Sequence, residues 1–209
     1  MADFCTFLAL PLRLRIKFTN DRMKNVFLIQ IDEMENKMRR LFDIDIKDYE
    51  AGYKVYRRPS ARGIILQGDR IALVYSEREH YYKFPGGGIH EGEDKKAALV
   101  REVREETGLV VIPDSIREFG SVLRRQRSDK EADTIFEQEN FYYICDVENT
   151  NKGQELDEYE REAGFVLRVL PIDEAIRAND EYHSENYFDE VMIKRELRVL
   201  QMVKEQMKN

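Results

Sequence analysis

The sequence predicts an α/β fold: a mixed sheet with helices on its faces. Three observations carry the prediction. Short apolar runs of strand character recur along most of the chain. Two of them, Gly63–Gln67 and Ile71–Tyr75, flank Gly68-Asp69-Arg70, a hairpin signal foreign to strict β-α-β alternation. Helical periodicity is confined to separate segments, chiefly Asp94–Thr107 and Tyr187–Met207. A chain of 209 residues, 42% hydrophobic and 36% charged, is long enough for one substantial soluble domain with a modest extension.

Residues 1–52 read as an N-terminal extension. Residues 1–22 read as a tail or a strand, because their apolar stretch lacks a basic leader and a small-residue cleavage site. Met23 offers an alternative start. Asn25–Ile31 (NVFLIQI) is a buried or strand-like run. Asp32, with Glu35 three positions on, is a capping-box-like signal that predicts a helix over 32–42. The acidic stretch Asp43–Gly52 reads as a hinge.

The main domain is expected over 53–180. Tyr53–Tyr56 opens it as a strand, the hairpin follows, and Lys83-Phe84-Pro85 leads into three glycines, Gly86, Gly87 and Gly88. A helix over Asp94–Thr107 should close on Gly108 as its C-cap. Ile116–Arg125 and Glu139–Val147 read as strands joined by a charged loop, and Gly164–Leu170 as another strand. Pro171 suits the first position of a short helix. In 181–209, Phe188, Val191, Met192, Leu200, Val203 and Met207 recur at helical spacing. That helix is expected to pack on the domain or to build a homodimer.

The net charge of −7 argues against stable duplex nucleic-acid binding. An acidic protein still binds anionic nucleotides when divalent cations lie between them. Two cysteines, Cys5 and Cys145, provide no disulfide framework and suit the cytoplasm; Cys145 reads as core. No apolar run has the length of a membrane span, so no membrane partner is expected.

The segment with most chemical content is GGGIHEGEDKKAALVREVREETGL, Gly86–Leu109. On a helical wheel, Ala97, Val100 and Val103 share the side expected to face the sheet. Glu102, Glu105 and Glu106 cluster elsewhere, at spacings where like charges repel. A hard cation such as Mg²⁺ or Mn²⁺ cancels that repulsion, since it prefers oxygen ligands and accepts several carboxylates. Glycines allow backbone to approach a ligand closely, and a loop carbonyl can join the metal shell. Arg101 can pair bidentately with a carboxylate. Glu93 lies at the positive end of the helix dipole. Tyr81, Tyr82 and Phe84 precede the loop and are candidates to stack on a base; half-buried strand packing reads equally well. Arg124, Arg125 and Arg127 read as a solvated charged loop in preference to a phosphate clamp. His90 reads as a loop residue.

Gly87, then Glu93, Arg101-Glu102-Val103, Glu105-Glu106 and Gly108-Leu109, at these intervals, resemble the signature of the Nudix hydrolase superfamily with every fixed position filled. The wider resemblance runs from about Arg58 to about Ala178. It implies an α/β/α sandwich with a mixed sheet, and Mg²⁺- or Mn²⁺-dependent hydrolysis of nucleoside diphosphates linked to another group. Carried over by position, Glu102, Glu105 and Glu106 would be metal ligands, joined by the Gly87 carbonyl. Arg101 and Glu93 would orient the glutamates and the loop, and Glu105 and Glu102 would sit at the catalytic centre. Arg62, Phe84 and Tyr82 are candidates for substrate contact. An additional base or ligand is sought outside the motif among Glu137, Glu139, Glu160 and Glu162.

The resemblance does not name a substrate. Pro113 lies too close to the motif for the spacing associated with ADP-ribose hydrolases. The tyrosine spacing associated with dinucleoside polyphosphates is missing. A nucleoside triphosphate, oxidised or not, is therefore expected ahead of ADP-ribose and sugar nucleotides. The alternative from another class is a nucleotide-sensing module without turnover. A related isomerase of isoprenyl diphosphates is disfavoured, because there is no Trp and no convincing catalytic cysteine.

Overall fold

A computed structural model describes residues 38–208. Its strands are β1 (Arg40–Asp45), β2 (Lys54–Arg57), β3 (Ser60–Gln67), β4 (Arg70–Ser76), β5 (Tyr82–Lys83) and β6 (Gly86–Gly88). Helix α1 (Lys95–Thr107) follows. Next come β7 (Leu109–Val111), β8 (Arg117–Arg127), β9 (Thr134–Ile144) and β10 (Val147–Asn151). The chain continues with α2 (Glu158–Glu162), β11 (Phe165–Pro171), α3 (Ile172–Asp180) and α4 (Tyr187–Met207).

The main sheet runs β1-β8-β9-β3-β4-β11, with β2, β5 and β6 attached to β9, β4 and β3. It is mixed, as expected. β3 pairs antiparallel with β4 across the Gly68-Asp69 turn and parallel with β9. β3 is buried over its first six residues, Ser60 and Arg62 included, as a strand in the middle of a covered sheet must be. Period-two alternation divides its side chains between two layers. Ile65 and its neighbours Phe141 and Tyr143 pack under Leu99 and Val103 of α1. Ile64 and Tyr142 pack on the opposite face with Ala175 of α3 and Val199, Leu200 and Val203 of α4. This is an α/β/α sandwich. Cys145 is buried on the α1 side.

Three expectations need correction. The helix anticipated over 32–42 lies outside the described residues up to position 37, and beyond that it gives way to a strand. Arg40–Asp45 is β1, paired in parallel with β8. Its Phe42 belongs to the core, and that burial overrides the local capping signal. The main sheet therefore includes residues placed before 53 in the extension. On α1, the buried positions are Ala98, Leu99, Val103, Glu106 and Thr107, while Ala97 is exposed. The buried stripe is turned about the helix axis so that Glu106 faces inward. Among the described residues, no helix is long and apolar enough to cross a membrane.

Candidate active site

The site is built where β5, the glycine strand β6 and the last two turns of α1 meet. Asp94 caps α1, its side chain accepting from the Lys96 and Ala97 amides, and Gly108 closes the helix in the left-handed conformation. The carbonyls of the last turn, free of helical partners, are taken up by the end of β10 and the segment after it. The Glu155 amide donates to the Glu105 carbonyl at 2.7 Å and the Asn151 side chain to Thr107 at 3.3 Å. Arg104 pairs bidentately with Glu155 at 2.7 Å on both arms. The glutamate-bearing end of α1 is thus fixed from outside the motif.

Arg101 is the hub. Its Nε and Nη2 donate to the two oxygens of Glu93, each at 2.9 Å. Nη1 donates to Glu102 at 2.6 Å and to Glu105 at 3.2 Å, and Nη2 also reaches the Gly88 carbonyl at 3.0 Å. These contacts, with a further donation from the His90 amide, hold the Glu93 carboxyl down at about 2. Burial, and the nearby Glu106 and Glu105, push the Glu102 carboxyl up despite Arg101.

Glu106 is only 1% exposed. One of its oxygens accepts from Lys83 Nζ at 2.7 Å and the other from the Gly86 amide at 2.8 Å. Lys83 also lies over the Phe165 ring, 4.1 Å from its centroid. Glu102 lies against Gly87 so closely that a Cβ there would be 2.2 Å from its Oε2. Gly86, at φ 140°, leaves no room either: a Cβ would be 2.1 Å from the Ala61 carbonyl oxygen.

The three glutamates therefore share one helix end, as the wheel predicts. Their carboxylates are turned to Arg101 and Lys83, and among the described residues no three acidic, His or Cys side chains converge as a ready cation cage. Of the four outer carboxylates, Glu160 reaches this cluster. Its carboxyl is pushed up to about 7, first by burial and then by the nearby Glu106. It also completes a capping box with Asp157 at the start of α2. Glu137 is held by Arg57 at 2.9 Å and by Arg125, and Glu139 by Arg40 at 2.9 Å. Glu162 is exposed on α2.

The substrate-contact candidates fall elsewhere. Phe84 is 0% exposed and packs edge-on to Tyr142, so no ring face is open to a base. Arg62 is buried too, and donates to the Phe84 and Gly86 carbonyls at 3.1 and 3.2 Å. It scaffolds the loop. Tyr82 is half-buried against Tyr75, and its backbone is bracketed by the Asn179 amide. Arg124 is buried on β8 with Phe188 over its guanidinium at 4.1 Å, in place of a solvated loop position. Sequence reasoning passed over Lys83 and the fully buried pair Arg195-Glu196. The pair had a signal: it interrupts the apolar stripe of α4 between Val191 and Val199 with charge.

The sequence profile of the NUDIX domain matches residues 56–191, about two thirds of the chain. An RNA pyrophosphohydrolase from Acinetobacter baylyi is 46% identical over 55 residues, which cover 25% of this chain and 32% of that protein. The chain thus spans about a third of that relative's length. Among solved structures, a NUDIX hydrolase from Nitrosomonas europaea superposes with a TM-score of 0.45 at 20% identity, covering 67% of this chain and 89% of that one. A MutT NUDIX hydrolase from Burkholderia pseudomallei gives 0.42 at 16% identity, over 56% and 85% of the two chains. Assignment rests on the profile, which takes in the whole motif Gly87–Leu109 and most of the sheet around it: the chain belongs to the NUDIX family.

Proposed function

We propose that this protein hydrolyses a pyrophosphate bond in a nucleoside diphosphate derivative, with Mg²⁺ or Mn²⁺ as its cofactor. The observation that carries the reading is the glutamate cluster on α1, set beside a glycine loop and organised by Arg101. The residues fit a hard cation on their own chemistry. Four carboxylates (Glu93, Glu102, Glu105, Glu106) stand against two cations, Arg101 and Lys83. Surplus negative charge is costly where Glu106 is buried and Glu102 half-buried, and every available donor is an oxygen. Glu102, Glu105 and Glu106, with the Gly87 carbonyl, would hold the ion. When bound, it supplies the positive charge that polyphosphate oxygens and an attacking water require.

The chain's own residues prepare the rest. Arg101 aims Glu102 and Glu105, and Glu93 fixes Arg101. Lys83 and the Gly86 amide aim Glu106. Glu160 is the outer carboxylate placed to join, as a further ligand or as the base. Nucleoside triphosphates, oxidised forms included, lead the substrate classes, ahead of ADP-ribose and sugar nucleotides. The RNA pyrophosphohydrolase among the relatives favours, as a second reading, the terminal triphosphate of an RNA. We place the activity in the cytoplasm, which the scarcity of cysteine suits.

The test is phosphate or pyrophosphate release over a panel of triphosphates, oxidised triphosphates, ADP-ribose, sugar nucleotides, dinucleoside polyphosphates and a triphosphorylated oligoribonucleotide. Expected is cation-dependent turnover of one class, lowered about a hundredfold or more in Glu106→Gln. No turnover with either cation, alongside tight binding of one nucleotide, would move the assignment to a sensing module.

A further inference from the structure

Phe84-Pro85-Gly86 carries the chain across the break from β5 into the first residue of β6, and strand pairing supplies no acceptor for the Phe84 amide. Pro85 has no N–H, so the break holds two backbone donors. Each goes to a buried glutamate of a different helix. The Gly86 amide donates to Glu106 of α1 at 2.8 Å, and the Phe84 amide to Oε2 of Glu196 of α4 at 3.0 Å. The carbonyls are accounted for as well: Arg62 donates to those of Phe84 and Gly86, and the Gly63 amide to that of Pro85 at 2.8 Å.

We infer that Glu196 is a positioning residue for the glycine loop, and that α4 sets where Gly86–Gly88 lies against the glutamates of α1. The inference rests on the hydrolase reading for its catalytic consequence and on geometry for its structural one. Glu196 is 0% exposed and lies among Arg195, whose Nε is 3.2 Å away, Arg62 at 3.8 Å, and the Tyr142 hydroxyl at 3.4 Å. Arg195 is held in turn by Gln138 at 2.9 Å. Burial works against the charged form of Glu196, but Arg195 and Arg62 outweigh it and keep the carboxyl below its usual range. A buried ion pair is a poor device for stability, since apolar side chains of similar volume pack as well or better. An apolar residue at 196 could not accept from the Phe84 amide. That bond gives the charged side chain its use on an otherwise apolar stripe.

Two conservative variants separate positioning from packing. Glu196→Asp keeps the charge beside Arg195 and withdraws the carboxylate by about 1.5 Å, beyond reach of the Phe84 amide. Arg195→Lys leaves the Glu196 carboxylate and its reach to the Phe84 amide in place and dismantles the guanidinium pair instead. Backbone amide exchange at Phe84 and Gly86 is followed by NMR on the full chain, with kcat and KM on the substrate the panel identifies. In Glu196→Asp, exchange at Phe84 should quicken about tenfold. Its kcat should fall roughly ten- to a hundredfold, with KM within about threefold. Arg195→Lys should keep both near wild type, whatever it does to the melting temperature. If Glu196→Asp does not fold, the double variant Arg195→Met/Glu196→Met removes the pair as a unit and gives the same readouts. Wild-type exchange and kcat in Glu196→Asp, or equal damage in Arg195→Lys, would overturn the inference. If the wild type turns over nothing on the panel, the hydrolase reading fails alone and amide exchange decides this one.

Discussion

Arg101 places five hydrogen bonds from one guanidinium: two on Glu93, one each on Glu102 and Glu105, and one on the Gly88 carbonyl. That equals its full complement of N–H donors. A lysine cannot reproduce the pattern, because a compact ammonium has three donors and no planar fork. Arg101→Lys is therefore expected to lower kcat/KM about a hundredfold while the melting temperature moves by only a few degrees. Steady-state kinetics beside thermal unfolding check this. Activity within about threefold of wild type would show that Glu102 and Glu105 do not depend on the fork. Gly86 and Gly87 differ in a similar way. A Cβ at Gly86 meets backbone at φ 140°, whereas one at Gly87 meets the movable end of Glu102. Gly86→Ala should cost at least about 2 kcal/mol in chemical denaturation. Gly87→Ala should stay near wild-type stability and lose activity, because Glu102 must swing away. Similar stability losses in both would contradict that assignment.

At the scale of the element, α1 and α4 show why the sequence was legible in some places and not in others. The caps of α1 are local signals, so Asp94 and Gly108 could be read from neighbouring residues alone. The bounds of α4, Tyr187–Met207, follow from its periodicity. The glutamate cluster needed only helical spacing. What escaped was set by distant chain: Glu196 of α4 pairs with Arg62 and accepts from the Phe84 amide, more than 100 positions away in the case of Phe84. No local pattern reports such pairs. Residues 40–42 were misread because β8, far along the chain, supplies the pairing that makes them a strand. The Glu93–Arg101 link also sits at this scale, tying the loop to the helix. Glu93 titrates at about 2 in the folded chain, against about 4.3 unfolded. A depressed carboxyl stabilises fully above the unfolded value and loses its contribution as pH falls toward the folded one. Wild type should thus lose more thermal stability than Glu93→Gln between about pH 5 and about pH 2. Equal slopes in melting temperature against pH would rule the link out.

At the scale of the whole molecule, the sheet carries a helix layer on each face, and one glutamate from each layer grips the break before the glycine loop. The arrangement places carboxylates where their mutual repulsion is held by Arg101 and Lys83, with negative charge to spare. The account stands on that surplus receiving a divalent cation. Titration of Mn²⁺ by electron paramagnetic resonance, on wild type, Glu106→Gln and Glu137→Gln, tests it without reference to any substrate. The account predicts saturable binding to wild type, weakened about tenfold or more in Glu106→Gln and unchanged in Glu137→Gln, whose carboxylate is occupied by Arg57 and Arg125. Binding that is absent in wild type, or equal in all three proteins, would contradict it.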